Sequence, residues 1–323
     1  MPACAASPGS SRCARSPSWS SSRARGGSSP TPDRSLELLA LCRFPPAGTA
    51  VTCAVSGGAD SLALLVLATR ADLNVTAVHV DHGLREGSAT EAGVVEEAAR
   101  RYGAEFRSVA VIVQPGGNVE ARARAARRAA LPPGAMTGHT ADDQAETVLL
   151  NMLRGAGLDG LAGIRSGPTK PILRLRRADT RALCAVEGLS PVVDPSNDNL
   201  SFRRNRLRHE LMPLAERVAA RDVAEVIARQ AELLGEDADL LNALAARIDP
   251  TEARALCEAP PPIARRAVRL WLANETGGPE HHPPDAAAVE RVLAVARGDA
   301  LACEVAGGRR VSRSAGRLRL SAE

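Results

Sequence analysis

Residues Ser56-Gly57-Gly58-Ala59-Asp60-Ser61 place two hydroxyls, two glycines and a carboxylate within one short turn. Glycine has no Cβ, so its backbone can approach a ligand closely. A helix opening just after the turn adds unpaired N–H groups and a positive dipole end. Together these suit a phosphate. Asp60 repels a bare anion but fits one bridged by a divalent cation. The turn lacks the Gly-Lys-Ser/Thr of one nucleotide loop and the GxGxxG of another. A second group is His139-Thr140-Ala141-Asp142-Asp143-Gln144-Ala145-Glu146. Capping of a helix by Thr140 and Asp143 explains one acid. It leaves Asp142, Glu146 and His139 unexplained, so a Mg²⁺ ion held by Asp60 and Asp143 on a pyrophosphate is the sharper reading. A third group is Asp81-His82-Gly83-Leu84-Arg85. Contact with a nucleoside and a backbone-bonded loop histidine are equally good accounts of His82.

The elements around these groups are expected to position them together. Val51 to Val55 reads as a strand, and Leu62 to Arg70 as the helix after the turn. Asn74 to Val80 is a second strand, leading into the Asp81 group. Phe106 to Val113 is a third, and 135–138 a short fourth, leading into His139. Helices are expected at 33–43, 91–102, 118–130 and 140–154, and a further strand at 170–176 before a helix at 179–187. This alternation implies an α/β fold with a doubly wound parallel sheet. Ligands of such sheets sit at the carboxyl ends of the strands, where all three groups fall. After Pro213 the alternation gives way to helices over 216–247, 251–274 and 286–296. Short strands near 303–305, 309–311 and 317–320 close the chain. The expected organisation is a disordered, dispensable tail over 1–32, an ATP-binding catalytic domain over 33–213, and a smaller, mainly helical substrate domain over 214–323 that ends in short strands.

The chain has 323 residues and 45% hydrophobic composition, ample for a core, with only 2% aromatics. Net charge is +4, but Arg12, Arg15, Arg23 and Arg25 stand in the acid-free first 32 residues. The rest is neutral, so any nucleic-acid contact must come from local clusters. Arg203, Arg204, Arg206 and Arg208 around Asn205 form the densest one, and Arg174, Arg176, Arg177 and Arg181 a second. The seven cysteines are scattered without a CxxC, which excludes a disulfide framework and the common zinc and iron–sulfur patterns. No stretch reaches the length of a membrane span, and a cytoplasmic location is expected.

The turn at 56–61 resembles the SGGxDS loop of the PP-loop ATP pyrophosphatase superfamily. SGGADS, HVDHGLR, NVEARARAARR, GHTADDQAETVLLNMLRGAG and DPSNDNLSFRRNRLRHELMP occur in that order. Together they are similar to the tRNA(Ile)-lysidine synthetase family, well over about 35–213. The closing ACEVAGGRRVSRSAGRLRL stretch is similar too. The resemblance implies ligation of L-lysine to the wobble cytidine of a CAU-anticodon tRNA(Ile). ATP and Mg²⁺ would be used, and AMP and pyrophosphate released. It implies nucleotide contacts at Ser56 through Ser61, His82 and His139. For the carboxylate that meets the lysine amine it points to Asp81, Glu120 and Asp142 without choosing among them. Glu120 and Arg124 match an E-x-x-A-R pattern, and Arg127 matches as well. Arg203, Arg204, Asn205, Arg206 and Arg208 are implied for tRNA. Arg128 and Ala156 depart from the family pattern. A homodimer is a possible assembly. The alternatives are a PP-loop tRNA thiolase, a small-molecule amidating synthetase and a non-enzymatic RNA-binding module.

Overall fold

The computed structural model describes residues 34–81, 88–111, 119–275 and 284–322. The expected tail over 1–32 lies outside the described residues. A parallel sheet is built from β1 (Ala50–Ala54), β2 (Asn74–Asp81), β3 (Glu105–Ala110) and β4 (Met136–Thr137), in the order β3-β2-β1-β4. Helices α1 (Arg34–Leu39), α2 (Ala59–Arg70), α3 (Ser88–Arg101), α4 (Val119–Ala130) and α5 (Ala141–Leu153) alternate with the strands. The chain runs outward from β1 to β3, then crosses back to place β4 on the other side of β1. The loops after β1 and β4 therefore part, opening a crevice at this switch point.

Helix α2 is the centre of the core. Ser61 through Ala68 are all buried, and Leu62, Leu64, Leu65 and Leu67 are fully so. A helix apolar on every side belongs inside, and here it packs with β1, β2, α3 and α7 (Arg177–Val186). Leu38 of α1 is buried while Leu36 is 64% exposed. Leu39 is partly buried against the same core, so α1 turns Leu38 and Leu39 inward and Leu36 outward.

Residues 170–176 do not form the expected strand. Leu173 N–H bonds to Lys170 O and Leu175 N–H to Ile172 O, giving a run of turns. Pro171 has no N–H for a ladder, and the carbonyl of Leu175 accepts instead from Ala141 N–H at the start of α5. Ile172 and Leu175 still fill the core.

A short helix, α6 (Leu158–Leu161), precedes these turns. After α7, α8 (Arg203–Arg206) passes through a π-helical turn over Leu207–Leu211 into α9 (Met212–Ala219). The wide turn falls just before Pro213, which has no N–H to close an ordinary turn. The boundary expected near 213 thus falls inside a continuous helical run. Helix α10 (Val223–Ala245) packs its Ala224 and Ile227 beside Ala145 and Leu149 of α5. Its far end, at Leu241 and Ala245, joins a second core. That core is made by α11 (Ala253–Glu258), α12 (Pro261–Glu275), α13 (Ala286–Arg297) and an antiparallel sheet of β5 (Ala302–Val305), β6 (Arg309–Ser314) and β7 (Arg317–Ala322). No helix among the described residues is long and apolar enough to cross a membrane.

Candidate active site

The 56–61 turn follows β1 and opens α2, as its sequence requires. Gly57 has φ +83°, a conformation that a side chain resists. Its carbonyl accepts Val192 N–H at 3.0 Å, so residues near 192 run alongside the turn. Ser61 Oγ accepts Ser56 N–H at 3.1 Å, lies 3.3 Å from Ser56 Oγ, and donates to Gly58 O. Both hydroxyls are therefore inside the turn, where a phosphate would meet them.

The turn touches the loop after β4 directly. A Cβ on Gly138 would lie 2.6 Å from the carbonyl oxygen of Asp60. Only glycine permits this approach, which joins the first two sequence groups across the switch point. Beyond Gly138, Thr140 begins α5. Asp143 Oδ2 accepts the Thr140 N–H at 2.9 Å and its hydroxyl at 3.0 Å, giving the capping-box arrangement expected from the spacing. His139 Nδ1 is 2.7 Å from the Thr137 hydroxyl. Asp81 ends β2 at the carboxyl edge of the sheet, and its carbonyl accepts Val111 N–H.

Arginines, which the sequence had pointed toward RNA, organise this cluster. The Arg177 guanidinium lies 3.6 Å from Asp60 Oδ2, 3.0 Å from Asp143 Oδ1 and 3.2 Å from Glu146 Oε1. Arg204 reaches Glu146 Oε2 at 2.7 Å and Asp143 Oδ1 at 3.2 Å. Arg208 donates to both oxygens of Glu146, at 2.7 and 3.1 Å. Positions 204 and 208 are one helical turn apart, so they meet the same carboxylate. The Glu146 side chain is only 2% exposed, and a carboxylate so placed requires cationic partners. Arg176 grips Asp142 with two hydrogen bonds, at 3.1 and 2.9 Å, while Arg177 N–H donates to Asp142 at 2.7 Å. Arg176 also pairs with Asp222, the residue that caps α10. The Thr180 hydroxyl, fully buried, donates to Asp60 Oδ1.

The three aspartates consequently differ. Burial would raise the pKa of Asp143, but the charges of Arg177 and Arg204 outweigh it and hold that carboxyl below its usual range. Asp142 is likewise depressed: burial opposes ionisation, and the Arg176 and Arg177 hydrogen bonds overcome it. Asp60 is raised, first by burial and then by the neighbouring Asp143 and Asp142 charges, despite Thr180 and Arg177. Geometry agrees: Asp60 faces one guanidinium, Arg177, where Asp143 faces two.

Asp60 and Asp143, the pair expected to share a Mg²⁺, face the same guanidinium. Arg177 lies against both carboxylates, and both oxygens of Asp143 already accept hydrogen bonds. Among the described residues no cluster of three or more His, Cys, Asp or Glu could hold a metal.

The remaining expected residues fall elsewhere. Asn205 is buried and donates to Ser196 O and Asn199 O, tying α8 to the preceding loop. Arg206 is exposed and pairs with Glu210. Arg203 and Arg127 are at least partly exposed. His82 lies outside the described residues, as do the side chains of Glu120 and Arg124. The sequence leaves Thr180 unmarked, puts Arg177 only in a basic cluster and leaves Glu146 without a role. Only the excess of acids at 142–146 hinted that buried cations must face them.

Two family models match the chain: a PP-loop domain over residues 35–215 and a TilS substrate binding domain over residues 252–319. The chain is 45% identical over 245 residues to a tRNA(Ile)-lysidine synthase of Nocardia farcinica, covering 71% of this chain and 77% of the relative. It is 42% identical over 238 residues to one of Rhodococcus erythropolis, covering 69% and 73%. To one of Mycolicibacterium paratuberculosis it is 44% identical over 234 residues, covering 68% and 73%. Among solved structures, the U34-tRNA thiolase NcsA of Methanococcus maripaludis aligns at TM-score 0.49 and 16% identity, over 63% of this chain and 78% of that one.

Proposed function

The chain belongs to the tRNA(Ile)-lysidine synthase family, and from that premise we propose that it ligates L-lysine to C2 of the wobble cytidine of a CAU-anticodon tRNA(Ile), using ATP. What supports the reading is the contact of the 56–61 turn with the 138–143 segment, which brings Asp60 beside the start of α5.

Cytosine C2 is a weak electrophile with a poor leaving oxygen. In the proposed first step, the C2 oxygen attacks the α-phosphorus of ATP and pyrophosphate departs. In the second, the lysine ε-amine attacks C2, the C2–O bond breaks and AMP leaves with that oxygen. The backbone N–H groups of the turn, with Ser56 and Ser61, would hold the departing phosphates. Asp60 would hold a Mg²⁺ that arrives on ATP, whose chemistry is to neutralise the growing charge on pyrophosphate.

The attacking ammonium must lose a proton. Asp142 is a poor acceptor, since three hydrogen bonds fix it and its pKa is depressed. We assign it to holding Arg176 and the start of α7. Asp81, at the carboxyl edge of β2, and Glu120 remain candidates for the amine. Arg204 and Arg208 are assigned to Glu146, which leaves Arg203 and Arg206 as the outward members of their cluster.

The test is incubation with ATP, labelled lysine and CAU-anticodon tRNA(Ile). Label recovered in the tRNA, with one AMP per lysine, is the expected result. AMP release that requires a sulfur donor and not lysine would favour the thiolase reading instead.

A further inference from the structure

The Val55–Ser56 peptide, where β1 gives way to the 56–61 turn, is held at both ends. Its N–H donates to Ser61 Oγ at 3.1 Å. Its carbonyl lies 3.0 Å from Nδ1 of His79 on β2. A carbonyl only accepts, so Nδ1 carries the proton and donates. Pairing of β1 with β2 ends at Ala54 and Val78, and Val55 N–H makes one more bond, to Val78 O. The His79 side chain thus takes hold of the backbone where it leaves the sheet.

Packing alone does not call for a histidine here. His79 is 1% exposed. Alternation along β2 puts it on the same face as Val75 and Ala77, which belong to the core around α2. A Val or Leu would suit that face. With Nδ1 donating, Nε2 of the neutral ring is an acceptor, and it is buried with no hydrogen-bond partner among the described residues. A buried polar atom left unpaired costs stability. What the ring supplies against that cost is its bond to Val55. A planar peptide turns as one unit, so hydrogen bonds on its two ends fix how it is turned. They fix with it the direction in which the chain enters Gly57, whose φ is +83°.

We propose that His79 is a positioning residue for the 56–61 turn: by holding the Val55 carbonyl, it sets the aim of the turn's backbone N–H groups at the phosphates of ATP. The proposal rests on the ATP-using reading above and adds to it a buried residue that acts through the backbone. A displacement near 1 Å at a reacting centre costs about 10²-fold in rate, so loss of this hold is large enough to measure.

The test compares His79→Leu with His79→Asn in the full chain. The Asn amide nitrogen falls near the place of Nδ1 and keeps the donor, whereas Leu fills the core and removes it. Pyrophosphate release is measured against ATP concentration with CAU-anticodon tRNA(Ile), alongside tRNA affinity, thermal midpoints and amide hydrogen exchange over residues 55–58. His79→Leu should lower kcat/KM for ATP about 10²-fold, with tRNA affinity near the parent's, and exchange at Ser56 should quicken. Its midpoint should stay near the parent's, because it leaves Val55 O unpaired in place of Nε2. His79→Asn should recover most of the rate despite a lower midpoint, since it leaves a gap in the core. A merely structural role predicts the reverse order, with Leu more active than Asn. Parent-like turnover and exchange in His79→Leu, or a folded His79→Asn no more active than His79→Leu, would overturn the proposal. Should His79→Asn not fold, turnover and exchange of His79→Leu decide it. If the parent releases no pyrophosphate, the functional reading fails, while exchange at Ser56 still shows whether His79 holds the turn.

Discussion

Arg177 shows what one side chain does at this site. Its guanidinium is 14% exposed and faces Asp60, Asp143 and Glu146 at once. Removing it leaves a cluster of half-buried or buried carboxylates without their shared counter-charge. Arg177→Met should therefore lower unfolding stability by about 3–5 kcal/mol, the usual cost of breaking a buried pair from one side. Urea denaturation measures this, and an unchanged midpoint would show that Arg204 and Arg208 suffice. The same cluster sets a pH dependence. Asp142 and Asp143 titrate below their ordinary value of 3.8 in the folded protein. Their contribution is complete above the unfolded value and is lost as pH falls through the lower folded one. Asp60, with its raised pKa, has the opposite sign: its ionisation costs stability as pH rises through its folded value. Acid titration of the thermal midpoint should show a fall beginning below about pH 4, blunted in Asp142→Asn. The acidic motif was legible because few other roles suit so many carboxylates in one turn. Its partners were not, because Arg177 and Arg204 are 31 and 58 or more positions away and basic side chains look alike in a sequence.

At the scale of elements, the site depends on how closely two loops approach. Gly138 lets the β4–α5 loop rest on the first turn of α2. Gly138→Ala places a carbon against the Asp60 carbonyl and must push the segments apart. A displacement near 1 Å at a reacting centre costs about 10²-fold in rate, so pyrophosphate release should fall by that order while tRNA binding stays near the parent's. Retained activity in Gly138→Ala would mean the loops need not touch. The β1-turn-α2 unit was legible because an apolar strand, two glycines and a leucine-rich helix fit no other local structure. The turns at 170–176 were misread for a physical reason. Alternation of Leu173, Arg174, Leu175 and Arg176 mimics a strand, but Pro171 blocks a ladder and Leu175 O serves α5.

For the whole molecule, α10 joins the two cores. Its 23 residues span roughly 35 Å at the usual helical rise, with one end against α5 and the other in the second core. Glu232 on this helix takes Arg43 and Arg174 from the sheet domain, and Arg266 of α12 reaches Asp159. The sequence placed a boundary near 213 because the strand–helix alternation stops there. It could not show that the helical run continues through Pro213, since the π turn that accommodates the proline leaves no compositional mark. We propose that Asp60 serves the bound triphosphate. This role is tested most directly by pyrophosphate release from Asp60→Asn with saturating ATP and CAU-anticodon tRNA(Ile), alongside tRNA affinity. We predict that release is lost, that tRNA affinity is nearly that of the parent, and that the thermal midpoint is no lower. Normal pyrophosphate release by Asp60→Asn would contradict the account.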